Sequence, residues 1–114
     1  METLISKRLV TGIKEGDMEL LKEFYLCNKS RIQRFIHQYI NDQEMVRFIL
    51  NEVFVNTWLY ADEYEEERNS IENWLFLVTS FTIIDILKKT EQTALLNKVL
   101  KKLPKPFLEG FPLR

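Results

Sequence analysis

The sequence has very few of the residues on which catalytic and metal sites depend. Its 114 residues include one histidine, His37, and one cysteine, Cys27. A lone histidine cannot build a zinc site by itself, and a lone thiol cannot form an internal disulfide. We expect His37 to be an ordinary surface or hydrogen-bonded residue, and Cys27 to be a small apolar residue of the core.

Motifs that carry enzyme chemistry are missing as well. The chain contains no glycine-rich phosphate loop, no Cys-x-x-Cys and no His-Glu-x-x-His. The acidic run at 62–67 lacks the alternating Asp/Asn positions and the central glycine of a calcium loop. No carboxylate pair stands out as a glycosidase-type acid and nucleophile. These absences predict a protein that is not an enzyme and that uses neither a cofactor nor a metal.

Long apolar runs and helix breakers are also scarce. The longest unbroken apolar run is WLFLV at 74–78, whereas a membrane span needs about 20 residues. No signal peptide is visible, so we expect a cytoplasmic protein without a membrane partner. The chain has 3 Gly and 3 Pro, and no Pro before residue 104. This composition favours long helices in one domain.

Charge is unevenly distributed although the net charge is only −1. Residues 1–40 carry seven Lys/Arg against five Asp/Glu, residues 41–72 carry two against nine, and residues 73–114 carry seven against three. Most charge runs are solvated surface. A nucleic-acid partner would have to use local basic patches, because the whole protein offers no attractive field.

Helical periodicity accounts for most of the chain and predicts an all-α fold, a small bundle of about four to five helices. We expect helices at 3–14, from Asp17 to Asn41-Asp42, at about 43–60, at about 71–89 and at 90–103. Gly16 suits a left-handed helix end, and Asp17, Asp42 and Ser70 suit N-caps. The second helix has a predicted bend near residues 28–30.

The predicted helix 43–60 has two apolar faces. One is an ordinary core stripe, formed by Val46, Ile49, Leu50 and Val53. The other carries Phe48, Val55 and Leu59, with Asn51 and Glu52 beside them. Because a helix of a small bundle needs only one buried face, the second suggests a partner surface.

The predicted helix 71–89 is apolar nearly all the way round, so it is either central in the bundle or covered by something else. Its VTSFTII segment is β-branched and leaves a strand possible locally. The length and the cap favour a helix. Trp58 and Trp74 are expected to support the acidic segment between the two helices from inside the core.

The order of these elements resembles region two, the promoter-binding domain, of bacterial extracytoplasmic-function sigma factors. The resemblance covers residues 9 to 89 and rests on IKEGD followed by FY, on NEVFVNTW, on the acidic hinge, and on WLF followed by IDILKK. It divides the chain into a region-two-like helical domain at 1–90 and, at 91–114, a linker helix with the truncated start of a second, region-four-like domain. KVLKKLPKPFLEGFPLR resembles that start.

The resemblance implies a transcription-initiation factor that binds core RNA polymerase and helps to recognise and melt the −10 promoter element. Its contact with the coiled coil of the polymerase largest subunit falls here on Phe48, Asn51, Glu52 and Val55. Relatives usually carry an acid at the position of Phe48 and Gln at that of Asn51, which puts the affinity in doubt.

The resemblance also implies contacts with the non-template strand of the −10 element, where the loop after helix 43–60 holds a flipped base. The candidate DNA-binding residues are Arg31, Arg34, Tyr60, Tyr64, Arg68, Asn69, Lys88 and Lys89. Relatives place Arg and Asn where this chain has Leu77, Ser80 and Phe81, so its DNA footprint is weak.

Two other interpretations stay open. The chain could be a sigma-like interaction module that no longer melts DNA and that binds an anti-sigma factor or a second copy. This interpretation rests on an expected increase in apolar surface, contributed by Phe48, Val55, Leu77 and Phe81. The second alternative is an unrelated helical adaptor.

Overall fold

Four α-helices and no strand make up the described part of the chain, which in this computed structural model is residues 11–12, 15–64 and 70–103. The helices are α1 (Met18–His37), α2 (Gln43–Leu59), α3 (Ile71–Lys89) and α4 (Thr93–Lys102), and a 3-10 turn (Ala61–Glu63) follows α2. The predicted all-α small bundle is therefore confirmed. The predicted helix 3–14, apart from residues 11–12, and the tail 104–114 lie outside the described residues.

The predicted helix boundaries are set by the expected capping residues. Gly16 has a φ of 87°, in the left-handed region that glycine tolerates. The Asp17 carboxylate accepts hydrogen bonds from the N–H groups of Glu19 and Leu20. Asp42 and Ser70 begin α2 and α3 in the same way. The bend expected near residues 28–30 does not interrupt α1, which runs unbroken through that stretch.

Side-chain contacts show how the helices are arranged. The rings of Tyr25, in the first half of α1, and Phe54, in the second half of α2, lie 4.5 Å apart. His37 and Gln43, at the adjoining ends of the two helices, line one groove, so α1 and α2 run antiparallel. The Asn56 amide reaches the Thr82 hydroxyl at 2.8 Å, which joins α2 to α3. The helix α4 packs on α3 and places Val99 and Leu103 in the same core cluster. The division of the chain at residue 90 stays a prediction.

The helix α3 is the centre of the bundle, as its all-round apolar character indicated. Thirteen of its residues are buried, including Leu77, Ser80 and Phe81. The expectation that Leu77 and Phe81 enrich the surface in apolar residues is therefore wrong, because both side chains are part of the core. An all-apolar helix has no polar stripe to show which positions face outward.

Cys27 is exposed, so its predicted place in the core is wrong. Leu21 and Phe24 define the buried side of α1. Cys27 follows Leu21 by six positions, which turns it by about 240° at roughly 100° per residue, away from that side.

Candidate functional site

The most distinctive surface of the described residues is one side of α2, here called the α2 outer face and defined by Phe48, Asn51, Glu52, Val55 and Leu59. Its three apolar side chains are largely exposed: Phe48 by 54%, Val55 by 44% and Leu59 by 63%. The opposite side of α2 buries the expected core stripe. The second apolar face predicted from periodicity is therefore present and solvent-accessible.

The polar members of the α2 outer face also reach solvent. Asn51 is exposed and Glu52 is half-buried. Both side chains can therefore contact a partner. Trp58, beside this face, is half-buried and packs against the core, so only part of its expected core position is realised.

The carboxylate of Glu52 lies near the cationic end of α3. The Lys89 ammonium is 3.0 Å from the Asp85 carboxylate, one turn earlier on α3. That hydrogen bond and the charge of Asp85 raise the pKa of Lys89, with a smaller contribution from Glu52. A residue predicted to bind DNA is thus engaged by an acid and adjoins a residue predicted to bind polymerase.

The described basic candidates for DNA contact do not form one patch. Arg31 on α1 pairs with Glu72 at 3.2 Å, at the N-terminal end of α3. Lys88 and Lys89 lie at the other end, sixteen residues or more further along α3, which is about 24 Å of helix. Arg34 and Lys88 are exposed. The structure therefore separates the arginines from the lysines.

The aromatic candidates of the hinge are less accessible than expected. Tyr64 is only 3% exposed, and its ring lies 5.4 Å from that of Trp74. Tyr64 is therefore a core residue packed against Trp74, and its prediction as a DNA-binding residue is wrong. Tyr60 is half-buried and meets Phe81 edge-on at 5.9 Å. Arg68 and Asn69 lie outside the described residues.

The three α3 positions that were compared with Arg and Asn in the sequence resemblance are buried. Leu77 and Phe81 are 4% and 7% exposed, and Ser80 is fully buried. The Ser80 hydroxyl has no hydrogen-bond partner. These positions contribute to the core of this structure and cannot contact a DNA strand from where they lie.

A polar groove between α1 and α2 was missed in the sequence. Its α1 wall is formed by Tyr25, Lys29, Gln33 and His37. Their constant spacing of four residues was a readable signal, because residues four apart lie on one side of a helix.

No protein-family model matches the chain, and neither a curated protein nor a solved structure matches it. Among residues 11–12, 15–64 and 70–103, no helix is long and apolar enough to cross a membrane. The same residues contain no group of three or more metal-binding side chains.

Proposed function

We propose that this protein is a region-two-type domain of an extracytoplasmic-function sigma factor, which binds core RNA polymerase and takes part in recognition of the −10 promoter element. The sequence resemblance over residues 9 to 89 supplies the family. One structural observation carries the proposal: α2 buries one side in a helical bundle and leaves Phe48 and Val55 in solvent beside Asn51 and Glu52.

The chemistry of the α2 outer face suits a helical protein partner. Its apolar members are spaced by seven and four residues, so they form one stripe along about three turns of helix. Exposed aromatic and aliphatic side chains of this kind provide the buried centre of an interface, with polar residues such as Asn51 and Glu52 around them. In the proposed complex this stripe packs on the polymerase coiled coil.

Direct binding of the chain to purified core RNA polymerase tests the proposal. The variant Glu52→Lys reverses one charge on the α2 outer face, and we expect about tenfold weaker binding. Phe48→Ala removes the largest exposed apolar side chain of this face, and we expect a loss of at least the same size. Biolayer interferometry at several salt concentrations measures both.

Glu23→Lys is the matched control, because it makes the same charge change at an exposed position of α1. It should bind polymerase as the unaltered chain does. Absence of binding by the unaltered chain, or equal binding by all three variants, would contradict the proposal. Far-UV circular dichroism should be the same for each variant, since none of the altered side chains is buried in the core.

The second candidate function is a sigma-like interaction module that has lost DNA melting. Two observations favour it over a domain with full DNA activity. Arg31 lies far from Lys88 and Lys89, and the side chains of Leu77 and Phe81 are buried. Transcription from a −10-dependent promoter, reconstituted with core polymerase and this chain, separates the two. Polymerase binding without open-complex formation would favour the interaction module.

A further inference from the structure

The polar groove between α1 and α2 is open to solvent, and apart from Asn51 its residues are not used in the proposed function. It has a volume of about 380 Å³. The facing wall on α2 is formed by Gln43, Arg47 and Asn51, again spaced by four residues. Val46 and Leu50 form a buried apolar floor. The side chains of both walls are exposed or half-buried, so a ligand can reach them from solvent.

The charge of this groove has one sign. Lys29 and Arg47 are cationic and the His37 imidazole lies on the same wall as Lys29, whereas no carboxylate is among the described residues that line the groove. Three amides, those of Gln33, Gln43 and Asn51, add hydrogen-bond donors. The Tyr25 hydroxyl is protonated at neutral pH in any case and can donate a hydrogen bond, and burial raises its pKa further. In a chain with a net charge of −1, this is a local site for an anion.

The helix geometry also spreads the basic groups along the groove. Lys29 and His37 are eight residues apart on α1, about 12 Å along its axis. The helices α1 and α2 run antiparallel, with Tyr25 against Phe54. Arg47 therefore faces the part of α1 between Lys29 and His37. Along the groove, Arg47 is therefore about 4–5 Å from the level of Lys29 and about 7–8 Å from that of His37, so the three groups are spread out. One phosphate would engage only some of them, whereas a longer anion reaches all three.

We propose that this groove binds a phosphorylated small molecule of nucleotide size, with its phosphates held by Lys29 and Arg47. The volume lies at the lower end of the roughly 300–1,000 Å³ of small-molecule pockets. Arg and Lys donors form the strong charge-assisted hydrogen bonds that phosphate accepts. The groove is short, with walls of four residues of α1 and three of α2, which suits a small molecule better than an extended nucleic-acid strand. The proposal does not depend on polymerase binding, although Asn51 belongs to both surfaces.

Isothermal titration of the full chain with ADP, inorganic pyrophosphate and adenosine tests it. We expect ADP to bind most tightly, pyrophosphate to bind more weakly and adenosine to give no measurable heat. The double variant Lys29→Gln/Arg47→Gln should bind ADP at least about tenfold more weakly. Lys98→Gln/Lys101→Gln is the charge-matched control on α4 and should leave ADP binding unchanged.

Each outcome decides between occupants. Equal ADP affinity in the groove variant and the α4 control would overturn the proposal, as would no ADP binding at millimolar concentration. A short single-stranded oligonucleotide forms a third arm of the experiment. If that strand binds through Lys29 and Arg47 and ADP does not, the groove is a nucleic-acid track and the small-molecule proposal is wrong. Unchanged circular dichroism of both double variants excludes a loss of fold as the cause.

Discussion

At the scale of single residues, Trp74 connects the hinge to the core. It lies in the first turn of α3, is 5% exposed and packs its ring against that of Tyr64. The capping hydroxyl of Ser70 holds the backbone N–H of Asn73 immediately before it. The buried pair of Tyr64 and Trp74 therefore ties the end of the 3-10 turn to the first turn of α3.

Replacement of Trp74 by alanine should destabilise the fold strongly. We expect the free energy of unfolding to fall by about 3–5 kcal/mol, because a large buried ring is lost and a cavity remains. Urea denaturation followed by circular dichroism measures this loss. Leu59→Ala, at a position 63% exposed, is the control and should change the free energy by less than about 0.5 kcal/mol. An unchanged midpoint for Trp74→Ala would show that the ring is not part of the core.

How far the candidate site could be predicted differs from residue to residue. Phe48 and Val55 were assigned to a second face because α2 also has a clear core stripe, and the contrast between the two sides is visible in the sequence. Leu77 and Phe81 could not be placed in the same way, since α3 is apolar on every side. Tyr64 is inaccessible because of a contact with Trp74, ten residues away, which no local pattern reports.

At the scale of elements, the helices follow from caps and periodicity, whereas their pairing depends on contacts between residues far apart in the chain. Helix α3 begins and ends where the sequence predicts, because Ser70 caps its start and Lys88 and Lys89 suit its C-terminus. The contact between Asn56 and Thr82 was not foreseen. It joins residues 26 positions apart, and nothing in either helix alone indicates it.

Removal of the Thr82 hydroxyl should weaken the packing of α2 on α3. In Thr82→Val the Asn56 amide loses its acceptor in a half-buried place, and we expect a cost of about 1–2 kcal/mol in unfolding free energy. Thr79→Val is the matched control. Its hydroxyl donates only to the Leu75 carbonyl of its own helix, which retains its backbone hydrogen bond. Equal losses in the two variants would show that the contact with Asn56 contributes nothing.

A double-mutant cycle makes that comparison stricter. With Asn56 already changed to Ala, the step from Thr82 to Val should cost less than it does in the unaltered chain, because no amide is left without an acceptor. Thermal and urea unfolding of the four proteins measure the coupling. Purely additive losses would mean that Asn56 and Thr82 stabilise the fold independently of each other.

At the scale of the whole molecule, charge placement determines what the protein can attract. The acidic residues cluster at 41–72, and two of the described basic candidates, Arg31 and Lys89, are paired with carboxylates. A strand that followed the remaining exposed candidates would have to reach from Arg34 on α1 to Lys88 at the far end of α3. Nucleic-acid affinity depends on phosphates neutralised together, so this arrangement favours weak binding.

We therefore expect the chain alone to bind a −10-like single strand with a Kd of about 10 μM or weaker at moderate salt. Fluorescence anisotropy with a labelled oligonucleotide measures it. Glu72→Gln should tighten binding by a few-fold, because it removes the α3 carboxylate that pairs with Arg31. The control Glu23→Gln removes an equal charge from α1 and should have less effect. A submicromolar, salt-sensitive complex of the unaltered chain would contradict this prediction.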